Sequence, residues 1–327
     1  MQYVNLGRSN LKVSRLGLGA MGIGDKSWRS WVLDEEASRP ILKRALDLGI
    51  NFIDTCDYYS TGRSEGVLGR FLSSFVRREE IVLATKVGNP MGKGANARGY
   101  SRKHLHEAVD QSLRRLQTDY IDLYQTHIWD PSTEIEEMVD AFDALVRSGK
   151  VLYLGITDMP AWQLAKAYYY AAHSGRARFI SVQNHYNPIW REDERELLPF
   201  CRAEGLGVIP YSPMARGYLA GRGRRDGTAP TERLRSDDYA LKIYGRRNDA
   251  TVAEAVEAVA AARNLAPAQV ALAWTLSRPG MTAPIFGATR VEHVDAAVAA
   301  LESGLDAEAV AMISQAYEPR AAGRPAG

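Results

Sequence analysis

The chain has 327 residues, 46% of them hydrophobic, which is enough for one large buried core. Its 41 basic and 39 acidic residues nearly balance, so the composition indicates no nucleic-acid-binding surface at the level of the whole chain. No apolar run reaches the roughly 18 residues that a membrane span requires, and the first residues lack the basic-then-apolar layout of a signal peptide.

Short β-type runs alternate with longer helical runs along the chain, after an N-terminal β-hairpin that turns at residues 7–10. The strands of this alternation are predicted at residues 13–21, 51–54, 81–86, 120–127, 151–157, 179–184, 207–212 and 283–287. Helices are predicted at residues 34–48, 64–75, 101–116, 133–148, 160–173 and 193–204, from 251, from 266, and at 291–301 and 306–318.

Eight strand–helix alternations favour a (β/α)8 barrel over a doubly wound sheet, and such a barrel needs about 250 residues. The predicted fold is therefore α/β, a (β/α)8 TIM barrel with an N-terminal β-hairpin, long loops at the C-terminal mouth and an extra C-terminal helix. One domain is expected over residues 1–318, with a flexible tail over residues 319–327. The loops over residues 87–100 and 213–250 leave the C-terminal ends of strands, where loops shape active sites.

Three of the predicted strands end on polar residues that a buried strand has no reason to carry. Asp54, Lys86 and His127 occupy these ends, and Tyr59 follows the first of them after a short turn. Since the carboxyl ends of neighbouring parallel strands converge on one mouth, we expect these four side chains to meet there. A carboxylate, an ammonium, an imidazole and a phenol together indicate a proton-transfer site.

Five motifs are similar to signature motifs of the aldo-keto reductases and occur in that family's order. They are Asp54-Thr55-Cys56-Asp57-Tyr58-Tyr59 with Gly62 and Ser64-Glu65, Leu83-Ala84-Thr85-Lys86, Asp122-Leu123-Tyr124 with His127, Val182-Gln183-Asn184, and Tyr211-Ser212-Pro213. One such motif alone would be weak, whereas five in register over residues 5–301 are a strong indication. The chain looks nearest to the bacterial and potassium-channel-β-subunit-like branch of the family.

The resemblance implies NADPH-dependent reduction of an aldehyde or ketone to an alcohol by hydride transfer. Tyr59 would be the general acid that protonates the developing alkoxide. Lys86 would lower the pKa of Tyr59, and Asp54 would keep Lys86 charged and aimed. His127 would orient the substrate carbonyl as a neutral hydrogen-bond partner, with a proton relay as its less favoured role.

A nicotinamide cofactor is implied without a Rossmann fingerprint, because no GxGxxG follows the first strand. By the resemblance, Tyr211 would stack on the nicotinamide ring and Gln183 would hold the carboxamide. The residues assigned in this way to the nicotinamide, its ribose and the pyrophosphate are Ala20, Met21, Asp54, Thr157, Asp158, Gln183, Asn184, Tyr211, Ser212, Pro213, Met214, Ala215 and Arg216.

The phosphate end of the cofactor is expected at Gly287, Thr289 and Arg290, where backbone amides and the dipole of the last barrel helix favour an anion. A hydroxyl and a guanidinium there suit the 2′-phosphate of NADP, so NADPH is expected over NADH. Arg222 and Arg233 of the long loop could reach the same phosphates. The alternative, that the arginines of this loop only solvate it, is equally open.

The chain departs from the family pattern at several positions in these motifs. Cys56 replaces the usual Ala, Asp158 replaces an Asn or Arg beside the carboxamide, and His293 stands where the family has Gln or Arg. Ala296 and Ala297 replace the Glu-Asn pair that hydrogen-bonds adenine, which predicts weaker cofactor affinity than is common in the family.

Trp28, Trp31 and Trp129 are predicted in loops at the mouth, where they would form a substrate pocket with Tyr59 and His127. The resemblance suggests small aldehydes, ketones or sugar-derived carbonyls as substrates. We expect a small-molecule carbonyl as the partner and neither nucleic acid nor membrane. The sequence leaves monomer and homo-oligomer open.

Two other functions compete with the reductase. Lys86 could form a Schiff base in a barrel aldolase, or the chain could be an NADPH-binding sensor or scaffold with little turnover. The presence of His127 favours an active enzyme. Cys56 and Cys201 are far apart and lack metal-ligand spacing, so buried thiols, no metal site and a cytoplasmic location are expected.

Overall fold

The computed structural model describes residues 1–221 and 232–320. Within these ranges a two-stranded antiparallel hairpin precedes an eight-stranded parallel sheet. The strands are β1 (Tyr3–Asn5), β2 (Lys12–Ser14), β3 (Gly17–Gly19), β4 (Phe52–Asp54), β5 (Val82–Val87), β6 (Ile121–Thr126), β7 (Val151–Thr157), β8 (Phe179–Gln183), β9 (Gly207–Val208) and β10 (Ile285–Gly287).

Helices connect the parallel strands and cover the outside of the sheet in the described ranges. They are α1 (Glu35–Asp47), α2 (Arg63–Phe75), α3 (Arg102–Leu116), α4 (Ile135–Arg147), α5 (Ala161–His173), α6 (Leu197–Glu204), α7 (Glu232–Ser236), α8 (Asp238–Ile243), α9 (Arg247–Arg263), α10 (Pro267–Ser277), α11 (Val291–Ser303) and α12 (Ala307–Gln315). Several begin where a side chain satisfies a free backbone amide, as Ser101 does for the His104 N–H of α3.

The parallel strands lie in the order β10, β3, β4, β5, β6, β7, β8, β9. Isolated parallel bridges from Val208 to Met281 and from Tyr211 to Ile285 join the two end strands. The Ile285 N–H also donates to the Pro210 carbonyl oxygen at 2.8 Å. The sheet therefore closes on itself, and the predicted (β/α)8 barrel with its N-terminal hairpin is confirmed.

Alternating residues of the strands fill the interior of the barrel. Phe52, Val82 and Leu123 form one buried cluster with Leu6 and Val13 of the hairpin, which closes the bottom. Because residues two apart in a strand point to the same side, the next inward positions are Asp54, Ala84 then Lys86, and Gln125. The apolar bottom of the barrel thus gives way to a polar layer towards the mouth.

The helices pack closely on the outside of the barrel, and α2 and α3 approach most tightly at Gly69. A Cβ atom built on Gly69 would lie 2.7 Å from the Leu116 carbonyl carbon and closer still to the Arg115 carbonyl oxygen. Only glycine allows this approach, since both atoms belong to the backbone of α3.

Some element bounds differ from those predicted. The strand expected over residues 13–21 is divided between β2 and β3, because the Ser14 hydroxyl donates to the Leu16 carbonyl oxygen and turns the chain. The strand expected over residues 207–212 is regular only at its first two residues, since Pro210 has no N–H for the ladder. The helix expected from residue 251 begins at Arg247, where Asp249 accepts from the Arg246 N–H.

The loop expected over residues 213–250 contains α7 and α8 in its described part. The helix expected over residues 306–318 ends at Gln315. Beyond it, Arg320 lies in the segment expected as a tail, yet it is buried and donates to Asp249 Oδ1 at 2.6 Å. No helix in the described ranges is long and apolar enough to cross a membrane.

Candidate active site

The polar layer at the barrel mouth is organised around the Asp54 carboxylate. Lys86 Nζ donates to Asp54 Oδ2 at 2.5 Å and to the Thr55 carbonyl oxygen at 2.8 Å. The other carboxylate oxygen, Oδ1, accepts from the side-chain amides of Gln125 and Gln183 at 3.0 and 2.9 Å. All four side chains are buried, so Asp54 is held by hydrogen bonds on both oxygens and Lys86 has a fixed direction.

Tyr59 reaches this layer from a short 3-10 turn, Tyr59–Gly62, which begins five residues after the end of β4. The backbone of Ser60 and Thr61 takes left-handed φ angles of 50° and 53°, which bends the chain back over the mouth. The Tyr59 hydroxyl lies 3.5 Å from Lys86 Nζ, and its ring meets the imidazole of His127 edge-on at 5.6 Å between centroids. The structure thus brings together the four side chains that the strand ends predicted.

Burial and charge set the protonation of these groups. Burial raises the pKa of Tyr59 to about 12, and the nearby Lys86 ammonium lowers it but does not outweigh burial. The sequence predicted that Lys86 would lower the pKa of Tyr59. It does so, but burial has the larger effect and the net pKa is raised. Burial lowers the pKa of Lys86, but Asp54 and Tyr59 reverse that effect and the net pKa is raised. At neutral pH the phenol keeps its proton and the lysine its charge.

His127 is neutral and contacts two side chains through its Nδ1 atom. Burial, followed by the Lys86 charge, lowers its pKa to about 3. Asn89 Nδ2 lies 2.6 Å from Nδ1, and Cys56 Sγ lies 2.9 Å from the same atom. With the amide nitrogen facing it, Nδ1 is an acceptor, so the ring proton lies on Nε2. The Tyr100 hydroxyl accepts from the His127 backbone N–H at 3.1 Å and supports this loop.

A second group of buried carboxylates lies behind His127. Cys56 Sγ donates to Asp57 Oδ1 at 3.2 Å, while Asp57 Oδ2 has no hydrogen-bond partner among the described residues. Glu65 accepts from Thr85 at 2.6 Å and from Arg115 at 2.7 Å. Burial, and then the Glu65 charge, raises the pKa of Asp57 to about 7. Arg115 forms an ion pair with Glu65, and its charge also lowers the pKa of Asp57, but burial outweighs that effect.

The catalytic candidates open into a cavity of about 800 Å³ that extends across the barrel mouth. The predicted site residues that line it are Met21, Trp28, Trp31, Asp54, Tyr59, His127, Thr157, Asp158, Gln183, Tyr211, Ser212, Pro213, Met214, Arg216, Arg233, Gly287, Thr289, Arg290 and His293. Ala296 and Ala297, the departures at the adenine end, line it as well.

Some predicted site residues are not on the cavity surface. Ala20 and Ala215 are fully buried, and Asn184 instead donates to Asp193 Oδ2 at 2.7 Å. Lys86 lies below the cavity, behind Tyr59 and Asp54. Trp129 packs against the hydrophobic core. Arg222 lies outside the described residues.

At the nicotinamide end, Tyr211 and Asp158 form a pair that the sequence did not predict. The Tyr211 hydroxyl donates to Asp158 Oδ2 at 2.8 Å, which accounts for the carboxylate where the family has an uncharged or basic residue. The Thr157 hydroxyl is buried at the cavity and has no hydrogen-bond partner among the described residues. The Gln183 amide nitrogen is committed to Asp54, so its oxygen is the group that would face a carboxamide.

At the other end of the cavity, three arginines and a histidine provide positive charge or N–H donors. Arg216 donates to Asp237 Oδ2 at 2.7 Å and Arg233 donates to the same oxygen at 3.3 Å. Arg290 directly precedes α11, and its guanidinium Nη2 lies 3.1 Å from His293 Nε2. A cavity lined by a hydroxyl that lacks a hydrogen-bond partner among the described residues, and by cationic groups beside a helix N-terminus, fits a nicotinamide dinucleotide.

Sequence reasoning missed three residues of the site. The alternation of Leu123 and Gln125 in β6 could have placed the Gln125 amide beside Asp54. Asn89 follows β5 by two residues, but no sequence signal links it to His127. Asp237 comes from the long loop, and its ion pairs with Arg216 and Arg233 form only in the folded chain. In the described part of the chain, no group of three or more His, Cys, Asp or Glu side chains is placed to hold a metal ion.

The sequence is similar to several known reductases and dehydrogenases over nearly its whole length. A versiconal hemiacetal acetate reductase of Aspergillus parasiticus is 38% identical, with 98% of each chain covered. A putative aryl-alcohol dehydrogenase of Schizosaccharomyces pombe is 37% identical over 97% of this chain and 96% of its own. An aldo-keto reductase of Metarhizium robertsii is 37% identical over 98% of this chain and 92% of its own.

These relatives are fungal oxidoreductases. The model of the aldo/keto reductase family matches residues 15–318, which spans all eight barrel strands and the cavity they surround. The chain therefore belongs to the aldo/keto reductase family, whose members carry out oxidoreduction of carbonyl compounds.

Proposed function

We propose that this protein reduces an aldehyde or ketone to the alcohol with NADPH, and that Tyr59 is the proton donor. The observation that carries the proposal is the buried series Asp54–Lys86–Tyr59, which meets His127 at the floor of one cavity. A phenol that keeps its proton at neutral pH, beside an ammonium that stabilises its phenolate, has the properties of a general acid.

Each side chain has a separate task in this reaction. A bound nicotinamide cofactor would supply the hydride. As negative charge develops on the carbonyl oxygen, the Tyr59 hydroxyl releases its proton to that oxygen, and Lys86 stabilises the phenolate that remains. His127, with its proton on Nε2, donates a hydrogen bond to the same oxygen and aims the carbonyl. Asp54 keeps Lys86 charged and in place.

The cavity supports NADPH as the cofactor. Gln183, Thr157 and Asp158 would surround the carboxamide, and Tyr211 would form one face of the nicotinamide site. Thr289 and Arg290 at the start of α11 would bind the 2′-phosphate, with Arg216 and Arg233 near the pyrophosphate. Ala296 and Ala297 offer no side-chain hydrogen bond to adenine, so the phosphates and the nicotinamide carry most of the affinity.

An aromatic aldehyde is the substrate class that we infer. Trp28 meets the rings of Tyr58 and Tyr59 at 5.9 and 6.3 Å between centroids, which forms an aromatic wall above the proposed proton donor. A flat aryl carbonyl could stack on this wall while its oxygen reaches Tyr59 and His127. The names of relatives, such as aryl-alcohol dehydrogenase, point in the same direction.

The Schiff-base alternative is disfavoured by the state of Lys86. A lysine that attacks a carbonyl must be a neutral amine, whereas Asp54 at 2.5 Å and the raised pKa keep Lys86 as an ammonium. Borohydride trapping with a carbonyl substrate is therefore expected to leave the protein unmodified. A covalent adduct on Lys86 would instead support the aldolase alternative.

The direct test follows NADPH oxidation with 4-nitrobenzaldehyde, after binding of NADPH and NADH has been measured by calorimetry. Tyr59→Phe should lose about 10² to 10⁴ in turnover and still bind NADPH. The matched variant Tyr58→Phe removes the neighbouring phenol and should keep most turnover. Full activity of Tyr59→Phe would refute the general acid, and tight NADPH binding without turnover on a panel of aldehydes would favour the sensor.

The cofactor preference has its own test. Arg290→Met removes one charge-assisted hydrogen bond to the 2′-phosphate, worth about 1.5–3 kcal/mol, so NADPH affinity should fall by roughly tenfold to a hundredfold. Affinity for NADH, which lacks that phosphate, should change little. Equal losses for both cofactors would show that Arg290 does not read the 2′-phosphate.

A further inference from the structure

A column of flat groups runs from the last described residue of the chain to the wall of the cavity. The Arg320 guanidinium lies 4.5 Å from the centroid of the Trp190 ring. Trp190 stacks on His185 at 4.8 Å with 22° between the planes, and His185 stacks on Tyr211 at 5.1 Å with 11°. The Tyr211 ring lines the cavity.

Arg320 is fixed in direction by its hydrogen bonds. Its guanidinium donates to the Ile189 carbonyl oxygen at 3.1 and 3.3 Å, to the Ile243 carbonyl oxygen at 3.0 Å and to Asp249 Oδ1 at 2.6 Å. Its backbone N–H also donates to Glu192 Oε1 at 2.7 Å. These hydrogen bonds hold the guanidinium over the Trp190 ring.

The middle of the column is equally constrained. His185 Nε2 lies 2.6 Å from the Tyr244 hydroxyl, and the ring is clamped between Trp190 and Tyr211. The Tyr211 backbone N–H donates to the Asn184 carbonyl oxygen at 2.9 Å, and its hydroxyl donates to Asp158. The Tyr211 ring between these two anchors lies nearly parallel to His185, with 11° between the planes, so its face packs directly on the imidazole.

We propose that Arg320 is a positioning residue, which sets the plane of the Tyr211 ring through Trp190 and His185 and so shapes the nicotinamide face of the cavity. The inference rests on the proposed function, because Tyr211 forms that face only if a nicotinamide cofactor binds there. The chain segment after α12 thereby becomes part of the cofactor site, although Arg320 does not line the cavity.

The position of Tyr211 can be tested without any cofactor. With 3-fluorotyrosine placed at residue 211, the ¹⁹F resonance should move in Arg320→Met and in Trp190→Leu, because both break the stack. Trp190→Phe keeps a flat ring in the column and should restore a resonance near that of the wild type. An unchanged resonance in Arg320→Met would overturn the proposal, whether or not the protein binds NADPH.

The effect on the cofactor is measured by calorimetric titration with NADPH on the same variants without fluorine. Because the Tyr211 ring would no longer be held in the plane that stacks on the nicotinamide, NADPH binding should weaken about tenfold in Arg320→Met and in Trp190→Leu, with Trp190→Phe close to wild type. Thermal unfolding of each variant is measured first, and the titration is done at a temperature at which all of them are folded. A purely structural role predicts lower melting temperatures with unchanged NADPH affinity in the folded state.

The outcomes separate the two proposals. If wild type binds neither NADPH nor NADH, the proposed function fails, while the ¹⁹F resonance still decides whether Arg320 orients Tyr211. If wild type binds NADPH and Arg320→Met binds it equally well, the cofactor part of the proposed function stands and Arg320 does not position the nicotinamide face.

Discussion

Replacing Asp57 by Asn tests the electrostatics of the buried carboxyl groups behind His127. Asp57 is 1% exposed, and burial together with the charge of Glu65 raises its pKa from 3.8 to about 7. A carboxyl group with a raised pKa in the folded state favours folding while it is protonated. That contribution is complete below the unfolded pKa near 4 and is lost as pH rises towards 7.

The magnitude follows from the two pKa values. They differ by about three pH units, and each unit corresponds to about 1.4 kcal/mol, so ionised Asp57 destabilises the fold by about 4 kcal/mol relative to the protonated form. Starting from pH 5, wild type loses stability over the roughly two pH units up to the folded pKa of about 7. Its free energy of unfolding should therefore fall by about 3 kcal/mol between pH 5 and pH 8 because of Asp57. Asn cannot ionise, so Asp57→Asn should gain about 3 kcal/mol relative to wild type over this interval.

Urea unfolding of both proteins at pH 5 and pH 8 measures this difference. Any loss caused by the amide itself, such as an unpaired N–H at the position of Oδ2, is the same at both pH values and cancels. Glu65, Arg115, Tyr124 and Cys56 face this group and are common to both proteins. If the stability difference between wild type and variant is the same at pH 5 and pH 8, Asp57 ionises normally and the reasoning is wrong.

Three further changes probe the same structure. Asp54→Asn leaves Lys86 buried without its countercharge and should cost about 3–5 kcal/mol in urea unfolding. Gly69→Ala would gain about 1 kcal/mol in an isolated helix, but overlap with α3 should make it destabilising by about 1–3 kcal/mol in thermal unfolding. Asn89→Leu removes the donor to His127 Nδ1 and should lower kcat/KM for 4-nitrobenzaldehyde by up to about tenfold, with NADPH affinity retained.

Each of these has a clear contrary result. Wild-type stability of Asp54→Asn would mean that Lys86 loses its proton instead of remaining charged. A stabilised Gly69→Ala would show that α2 and α3 can separate at no cost. Unchanged kcat/KM in Asn89→Leu would show that the hydrogen bond from Asn89 does not orient the His127 ring.

The barrel could be predicted because each strand and each helix has its own hydrophobic period in the local sequence. The convergence of Asp54, Lys86 and His127 followed from the topology alone, since parallel strands end at one mouth. The inward position of Gln125 was equally available from the two-residue period of β6. These features depend on backbone direction and periodicity, which sequence patterns report well.

The remaining features of the site depend on distances between segments that are far apart in the chain. The bond between Tyr211 and Asp158 joins two loops, and nothing in either segment specifies the other. The pKa of Tyr59 depends on burial beside Trp28, so the sign of the Lys86 effect could be predicted from the sequence, whereas its size relative to burial could not. The motifs did not decide the branch of the family either, and relatives with 37% to 38% identity are fungal reductases and dehydrogenases.

The closure of the barrel by opposite ends of the chain has a consequence during protein synthesis. β3 pairs with β10, and Arg15 just before β3 donates to the Thr282 carbonyl oxygen, 267 positions away. A nascent chain on the ribosome therefore carries β3 without its outer partner until most of the polypeptide has emerged. Such an open sheet edge is a template for pairing with other chains. Translation products that stop before residue 285 retain this edge permanently, so chaperones or proteases are expected to act on them.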